Sequence, residues 1–391
     1  MAPDFDPAVI GEWALVPRRI FDGRALHQGL ALHLRDGLVA ALCPPSDLPP
    51  GLPVWHTDTT AVPGYFDVQV NGGGGVLVNT TPTPQGLLAI AAAHCQSGTT
   101  SCLPTLITDR PEVMDRVADA VIRVCGTGGV AGIHLEGPHI SPARKGTHNP
   151  AFIRPLDART MAAARRLRAA GVPVLLTLAP EMAAPGAIAE LTAAGVVVSL
   201  GHTAGDAAGV RQAIAEGARA ATHLYNAMTH MESREPGVVG AVIDSDLYAG
   251  FIADGHHVDD AMLRIAIRAR PRAGRMVLVS DAMPTWNGPD HFDLYGERIA
   301  LRDGRLVNAA GSLAGVHIDM AHSVQRLVQR IGLPLAEALG MATANPAEMM
   351  RLDRRIGTLV AGAQADFVLL DQGLAPTAVV VGGKMHASPV A

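Results

Sequence analysis

Four short apolar runs in this chain each stop at a residue that can bind a metal or move a proton. Gly132-Ile-His-Leu-Glu136 stops at Glu136, and Gly195-Val-Val-Val-Ser-Leu-Gly-His202 stops at His202. Ala220-Ala-Thr-His223 stops at His223, and Arg275-Met-Val-Leu-Val-Ser-Asp281 stops at Asp281. Runs of this length and composition read as buried strands. Polar groups converging from the C-terminal ends of several strands are how a β/α barrel builds an active site. One Glu, two His and one Asp suit a catalytic metal centre that keeps a position open for water. A lone strand-end histidine is more often a core or capping group. The joint occurrence on equivalent strand ends is what points to a site, and the irregular spacing follows because each residue comes from a different strand.

Within that set Asp281 suits the general base. A carboxylate within hydrogen-bond reach of an acidified water can take its proton and later pass it to a leaving amine. Gln69 and Asn71, in Pro63-Gly-Tyr-Phe-Asp-Val-Gln-Val-Asn-Gly72, project with two-residue spacing from the end of a first strand. They therefore face one side. Neutral amides are poor ligands for a second metal and suit hydrogen bonding better. Gly72-Gly-Gly-Gly75 lacks the Lys-Ser/Thr of a phosphate loop and reads as a flexible turn. His148, Arg234 and His257 are loop residues at the same predicted barrel face. Singly each reads as a solvated surface group. As a set they could form an anion site, since Arg grips phosphate oxygens in a forked geometry.

The elements that must position these groups are legible as an alternation. Strand-like runs start near Tyr65, Ser101, Gly132, Val174, Val196, Ala220, Tyr248 and Met276. Helical patterns fall between them at Gln85–Ser97, Arg110–Cys125, Ala158–Ala170, Pro185–Ala194, Asp206–Ala215 and Asp259–Ala269. A further helix is expected over His317–Ile331, followed by the segment Pro334–Met350. Eight parallel strands with intervening helices make a (β/α)8 TIM-type barrel. Both chain ends instead carry short strand-like runs cut by turn residues. The predicted organisation is a small β-sandwich domain from residues 1–62 plus 357–391, and a barrel from 63–356.

Bulk properties bound the function. The chain has 391 residues, nearly half of them apolar, 17% charged and only 4% aromatic. A large core packed with Ala, Val, Leu and Ile is therefore expected. A net charge of −5 argues against nucleic acid as a main partner. Cys43, Cys95, Cys102 and Cys125 lie far apart and read as reduced thiols. Met1–Asp6 is acidic, without a basic-then-apolar signal pattern, and no apolar stretch is long and uniform enough to span a membrane. A cytoplasmic protein with no membrane partner is the expectation.

Taken together the motifs resemble the N-acetylglucosamine-6-phosphate deacetylases of the amidohydrolase superfamily. The carriers are the Pro63–Gly72 run, His134-Leu-Glu-Gly-Pro-His139, Lys145-Gly-Thr-His-Asn-Pro150, Leu200-Gly-His-Thr203, Ala221-Thr-His-Leu-Tyr-Asn-Ala-Met228, Arg234-Glu-Pro-Gly237, Ala253-Asp-Gly-His-His-Val258 and Val279-Ser-Asp-Ala282. The resemblance implies Glu136, His202 and His223 as ligands of one divalent metal per subunit, and Asp281 as catalytic acid/base. Zinc is the expected ion, with iron, cobalt or manganese as alternatives. It implies that His148 steadies the acetyl carbonyl as it becomes an oxyanion. Asn226 and Ala227 would contact the sugar phosphate, Gln69 the substrate, and Leu313 would lie against it. Arg234 and His257 match phosphate-binding positions that come from the neighbouring subunit, which implies a homodimer. Gln69-Val-Asn71 stands where two-metal members carry His-x-His.

The implied reaction is metal-dependent hydrolysis of N-acetylglucosamine 6-phosphate to glucosamine 6-phosphate and acetate. The nearest rival is the same chemistry on N-acetylgalactosamine 6-phosphate. A non-catalytic binding protein on this scaffold is disfavoured by the intact quartet Glu136, His202, His223 and Asp281. A two-metal, dihydroorotase-like cyclic amidase is disfavoured by Gln69 and Asn71.

Overall fold

In the computed structural model, residues 11–387 are described. The acidic segment Met1–Asp6 therefore lies outside the described residues, as do the outermost residues of the predicted small domain. Two compact units emerge from the packing.

The first unit is drawn from both chain ends. Its strands form one continuous sheet in the order Lys384–Ala387, Pro376–Val381, Phe367–Leu370, Val54–Pro63, Glu12–Phe21, Ala31–Arg35, Leu38–Cys43, with Leu26–His27 paired to Glu12–Phe21. The sheet doubles back on itself. Val39 N–H bonds to Ala363 O at 2.9 Å and Trp13 Nε1–H to Gly383 O at 3.0 Å. The layers enclose Trp13, Leu15, Trp55, Phe367 and Val380. The unit also takes in the helical residues 320–350.

The second unit is the barrel. Its strands are Tyr65–Val70, Thr99–Ile107, Ile133–Glu136, Val174–Leu178, Val197–Leu200, Ala220–Ala221, Tyr248–Phe251 and Met276–Leu278, neighbours in chain order. The pairings recorded from the second strand to the eighth are all parallel. Closure comes just beyond the eighth strand. Val70 bridges Ala282, and Asp281 N–H bonds to Gln69 O at 2.9 Å. All eight strands are buried along their whole length, as parallel strands covered on both faces must be. Asp157, Asp206 and Asp259 cap the helices Ala158–Ala169, Ala207–Ala215 and Asp260–Ala269 by accepting backbone N–H groups of their first turns.

Three features depart from the sequence expectation. Gly237–Ile243 is an additional helix, buried at every position. It has no polar face, so no helical period marks it. The helix expected from His317 starts at Met320, because Val316 is extended and bridges Ala282. A three-stranded antiparallel sheet, His291–Leu294, Glu297–Arg302 and Arg305–Val307, follows the eighth barrel strand. Its apolar face packs on Leu77, Ile107 and Met283.

Candidate active site

The strand ends deliver the candidate side chains through unusual backbone. His202, His223 and Asp281 sit at φ of 48°, 33° and 52°. This left-handed region is costly for residues with a Cβ and collects at functional sites. Here the turn aims each side chain into the barrel mouth. Glu136 ends its strand in register with Ile107 and Thr177. Gly137 follows because no larger residue fits. Its φ is 79°, and a Cβ there would stand 2.4 Å from Thr108 Oγ1.

Three donor atoms converge. Glu136 Oε1 lies 3.0 Å from His223 Nε2 and 3.3 Å from His202 Nε2, and the two nitrogens are 3.0 Å apart. All three residues are buried. Bonds of about 2.0–2.1 Å to one tetrahedral ion set its ligand atoms about 3.3 Å apart, so this triad fits a metal closely. His202 Nδ1–H donates to Arg144 O at 2.8 Å, which leaves its Nε2 lone pair facing the other two atoms.

His148 is also near, with a ring nitrogen within 4.8 Å of ligand atoms of Glu136 and His202. Its hydrogen bonds argue for a different task. The Thr108 backbone N–H donates to His148 Nδ1 at 3.3 Å, and Thr108 Oγ1 is 2.7 Å from the same atom. Nδ1 is thus an acceptor, and the ring proton sits on Nε2. Burial and the neighbouring His202 push its pKa down to about 3, so the ring is neutral.

Gln69 and Asn71 lock the carboxylates. Gln69 Nε2 stands 3.1 Å from Glu136 Oε1 and 3.1 Å from Asp281 Oδ1. Asn71 Nδ2 donates to Asp281 Oδ1 at 2.6 Å. Burial, reinforced by the Glu136 charge, raises the Asp281 pKa to about 6 against the pull of His223, Asn71 and His257. Burial alone would also raise Glu136, but the adjoining imidazoles of His202 and His223 hold it well below the usual range. Conversely, burial would lower His223, and Glu136 raises it.

The outer candidates are more dispersed. Asn226 N–H bonds to His223 O at 2.9 Å, and Ala227 sits at φ 52° with its carbonyl accepting Thr203 N–H at 3.1 Å. His257 Nδ1–H donates to Asp254 at 2.6 Å, and His257 lies close enough to Asp281 of its own chain to act on that carboxyl. Leu313 and His148 line the same cleft of about 570 Å³, together with Lys145, Tyr295 and Asn308. Arg234 stands exposed at a turn closed by Glu232 N–H to Glu235 O, with no hydrogen bond or ion pair of its guanidinium among the described residues.

Several supporting residues escaped the sequence reading. His134 is buried between Thr105 Oγ1 at 3.2 Å and Thr177 Oγ1 at 2.8 Å. Asp67, raised by burial to about 7, accepts N–H groups from Gln69 and Ser280. Their two-residue spacing from Glu136 and Gln69 is the one signal that could have found them. Thr108 carries no such signal.

Comparison with known proteins places this geometry. The model of the Amidohydrolase family matches residues 60–386. The chain is 41% identical over 333 residues to N-acetylgalactosamine-6-phosphate deacetylase of Shewanella sp. (strain ANA-3), covering 84% of each. It is 37% identical over 341 residues to human N-acetylglucosamine-6-phosphate deacetylase, covering 83% of this chain and 82% of the relative. The crystal structure of N-acetylglucosamine-6-phosphate deacetylase from Pasteurella multocida superposes with a TM-score of 0.91 at 32% identity, covering 96% of this chain and 100% of that one.

Proposed function

The chain belongs to the amidohydrolase family, and from that premise we propose that it hydrolyses N-acetylglucosamine 6-phosphate to glucosamine 6-phosphate and acetate. The observation that carries the reading is the convergence of Glu136, His202 and His223 on one point, with Asp281 tied to Glu136 through Gln69.

Glu136, His202 and His223 would hold one divalent ion, zinc in our reading. Such an ion, when bound, polarises the amide carbonyl and acidifies the attacking water. Asp281 accepts the proton of that water. With a pKa near 6 it is ionised at neutral pH yet basic enough to be useful. It then returns the proton to the departing amine. His148 donates from Nε2–H to the acetyl oxygen as negative charge gathers there. Gln69 and Asn71 orient Asp281, and Gln69 also faces the substrate.

Asn226 and Ala227 contact the sugar phosphate, and Leu313 bounds the sugar from the cleft shared with His148. His257, held by Asp254, reaches the phosphate of a neighbouring copy in a homodimer. Arg234, exposed on its loop, reaches the phosphate of a neighbouring copy in a homodimer. The barrel, read as residues 63–356, carries the chemistry. No helix among the described residues is long and apolar enough to cross a membrane, in line with a cytoplasmic enzyme.

The Shewanella relative favours a second reading, the epimeric N-acetylgalactosamine 6-phosphate. Acetate release measured side by side on the two sugar phosphates tests both. The first reading requires the higher kcat/KM on the glucosamine epimer. No acetate from either would remove the deacetylase reading itself.

A further inference from the structure

The turn between His291–Leu294 and Glu297–Arg302 consists of Tyr295 and Gly296, at φ 54° and 85°, because Leu294 pairs directly with Glu297. Two-residue hairpins with both central residues at positive φ strongly prefer Asn, Asp or Gly in the first place. An aromatic residue there costs free energy that the turn itself does not return. The return lies at the side chain. Tyr295 packs against the core of its hairpin, which includes Ile107. Its hydroxyl donates to Thr108 O, and the Asn149 backbone N–H acts on the same hydroxyl. Thr108 is the residue whose N–H and hydroxyl engage His148 Nδ1, and Asn149 follows His148 in the chain. One phenol thus touches both segments that set the His148 ring.

We propose that Tyr295 is a positioning residue for the hydrolysis, holding the Thr108 peptide so that His148 presents Nε2–H to the Glu136–His202–His223 cluster. The inserted three-stranded sheet is then a clamp on the oxyanion donor rather than an ornament of the barrel. This rests on reading His148 as that donor.

The test is a double-mutant cycle of Tyr295→Phe and His148→Asn, with metal content and melting temperature as folding controls. Removing an oxyanion donor costs about 10²–10³ in kcat, so loosening one should cost about tenfold. Tyr295→Phe is expected to lower kcat about tenfold with little change in KM, and to have almost no effect when His148 is already Asn. Nitrogen-15 NMR of the resting protein gives a readout besides activity. His148 should be the Nε2–H tautomer in wild type and a mixture of tautomers in Tyr295→Phe. Equal losses in both backgrounds, or an unchanged tautomer with unchanged kcat, would overturn the clamp. If His148→Asn alone leaves kcat intact, the oxyanion role of His148 fails first and the clamp with it. Loss of metal or a lowered melting temperature in Tyr295→Phe would make the residue merely structural.

Discussion

Asn71 donates its side-chain amide to Asp281 Oδ1 at 2.6 Å, joining two residues 210 positions apart where the first and last barrel strands meet. The contact lies at the seam that closes the barrel, so closure and the setting of the Asp281 carboxylate depend on the same few atoms. The amide favours the ionised carboxylate. Asn71→Ala should therefore raise the Asp281 pKa above its value of about 6. Asp281 must be ionised to accept a proton, so the acid limb of kcat/KM should move to higher pH. The loss should be largest near about pH 6 and shrink above about pH 8. A pH–rate profile checks this. A uniform loss at all pH values would mean that Asn71 only positions the chain.

Asp281→Asn separates binding from proton transfer. The amide has the same shape and keeps a partner in Gln69, but it cannot accept a proton. Metal content should stay at the wild-type level while kcat falls by about 10²–10⁴-fold. Elemental analysis and acetate release on the same sample decide it. A variant within a few-fold of wild type would remove Asp281 from the proton path.

One metal per chain is expected, because Gln69 and Asn71 carry neutral amides, poor ligands for a second ion, and turn their N–H groups to Glu136 and Asp281. Removing that metal leaves Glu136, His202 and His223 crowded at 3.0–3.3 Å without the ion that suits them. A metal present at about a hundred times its Kd stabilises the fold by about 2.7 kcal/mol. Chelation should thus lower the melting temperature as well as abolish turnover, and readdition should restore both. Two tightly held ions per chain in protein purified without added metal would contradict the one-metal reading.

Much of this molecule was legible in the sequence, and the exceptions share a cause. The eight strand starts and the convergence of Glu136, His202, His223 and Asp281 could be read because each strand is an apolar run ending in a polar group. The left-handed turns at His202, His223 and Asp281 could not, since His and Asp adopt positive φ more often than most residues but too rarely for the sequence to mark it. The helix Gly237–Ile243 is hidden by its own burial, which erases the polar face. The three-stranded sheet was readable in part. Asp303-Gly304 is a strong hairpin signal that went unused. Tyr295-Gly296 is a poor signal, and its reason lies at Thr108, far away in the chain. The support around His148 comes from a backbone N–H and a tyrosine hydroxyl, and sequence reading is blind to the first and indifferent to the second.

The last prediction separates the two phosphate candidates. His257 is held by Asp254 through Nδ1 at 2.6 Å and through backbone N–H bonds, which leaves Nε2 as the atom free to meet a ligand. Arg234 is exposed on its turn. If both grip the phosphate, each Ala variant should lose activity on the phosphorylated sugar and little on the unphosphorylated one, which never uses the contact. A charge-assisted hydrogen bond is worth about 1.5–3 kcal/mol, so discrimination should fall about ten- to a hundredfold. Both are expected to reach across a subunit interface. A dimer mixed from an Arg234→Ala chain and an Asp281→Asn chain contains one site with an intact Asp281. If Arg234 crosses the interface, that site receives its arginine from the Asp281→Asn partner and keeps its phosphate preference. With His257→Ala in place of Arg234→Ala, the same site likewise receives its histidine from the Asp281→Asn partner and keeps the preference. Loss of the preference in either mixture would mean that the substituted residue acts within its own chain, and its subunit-crossing assignment would then be wrong.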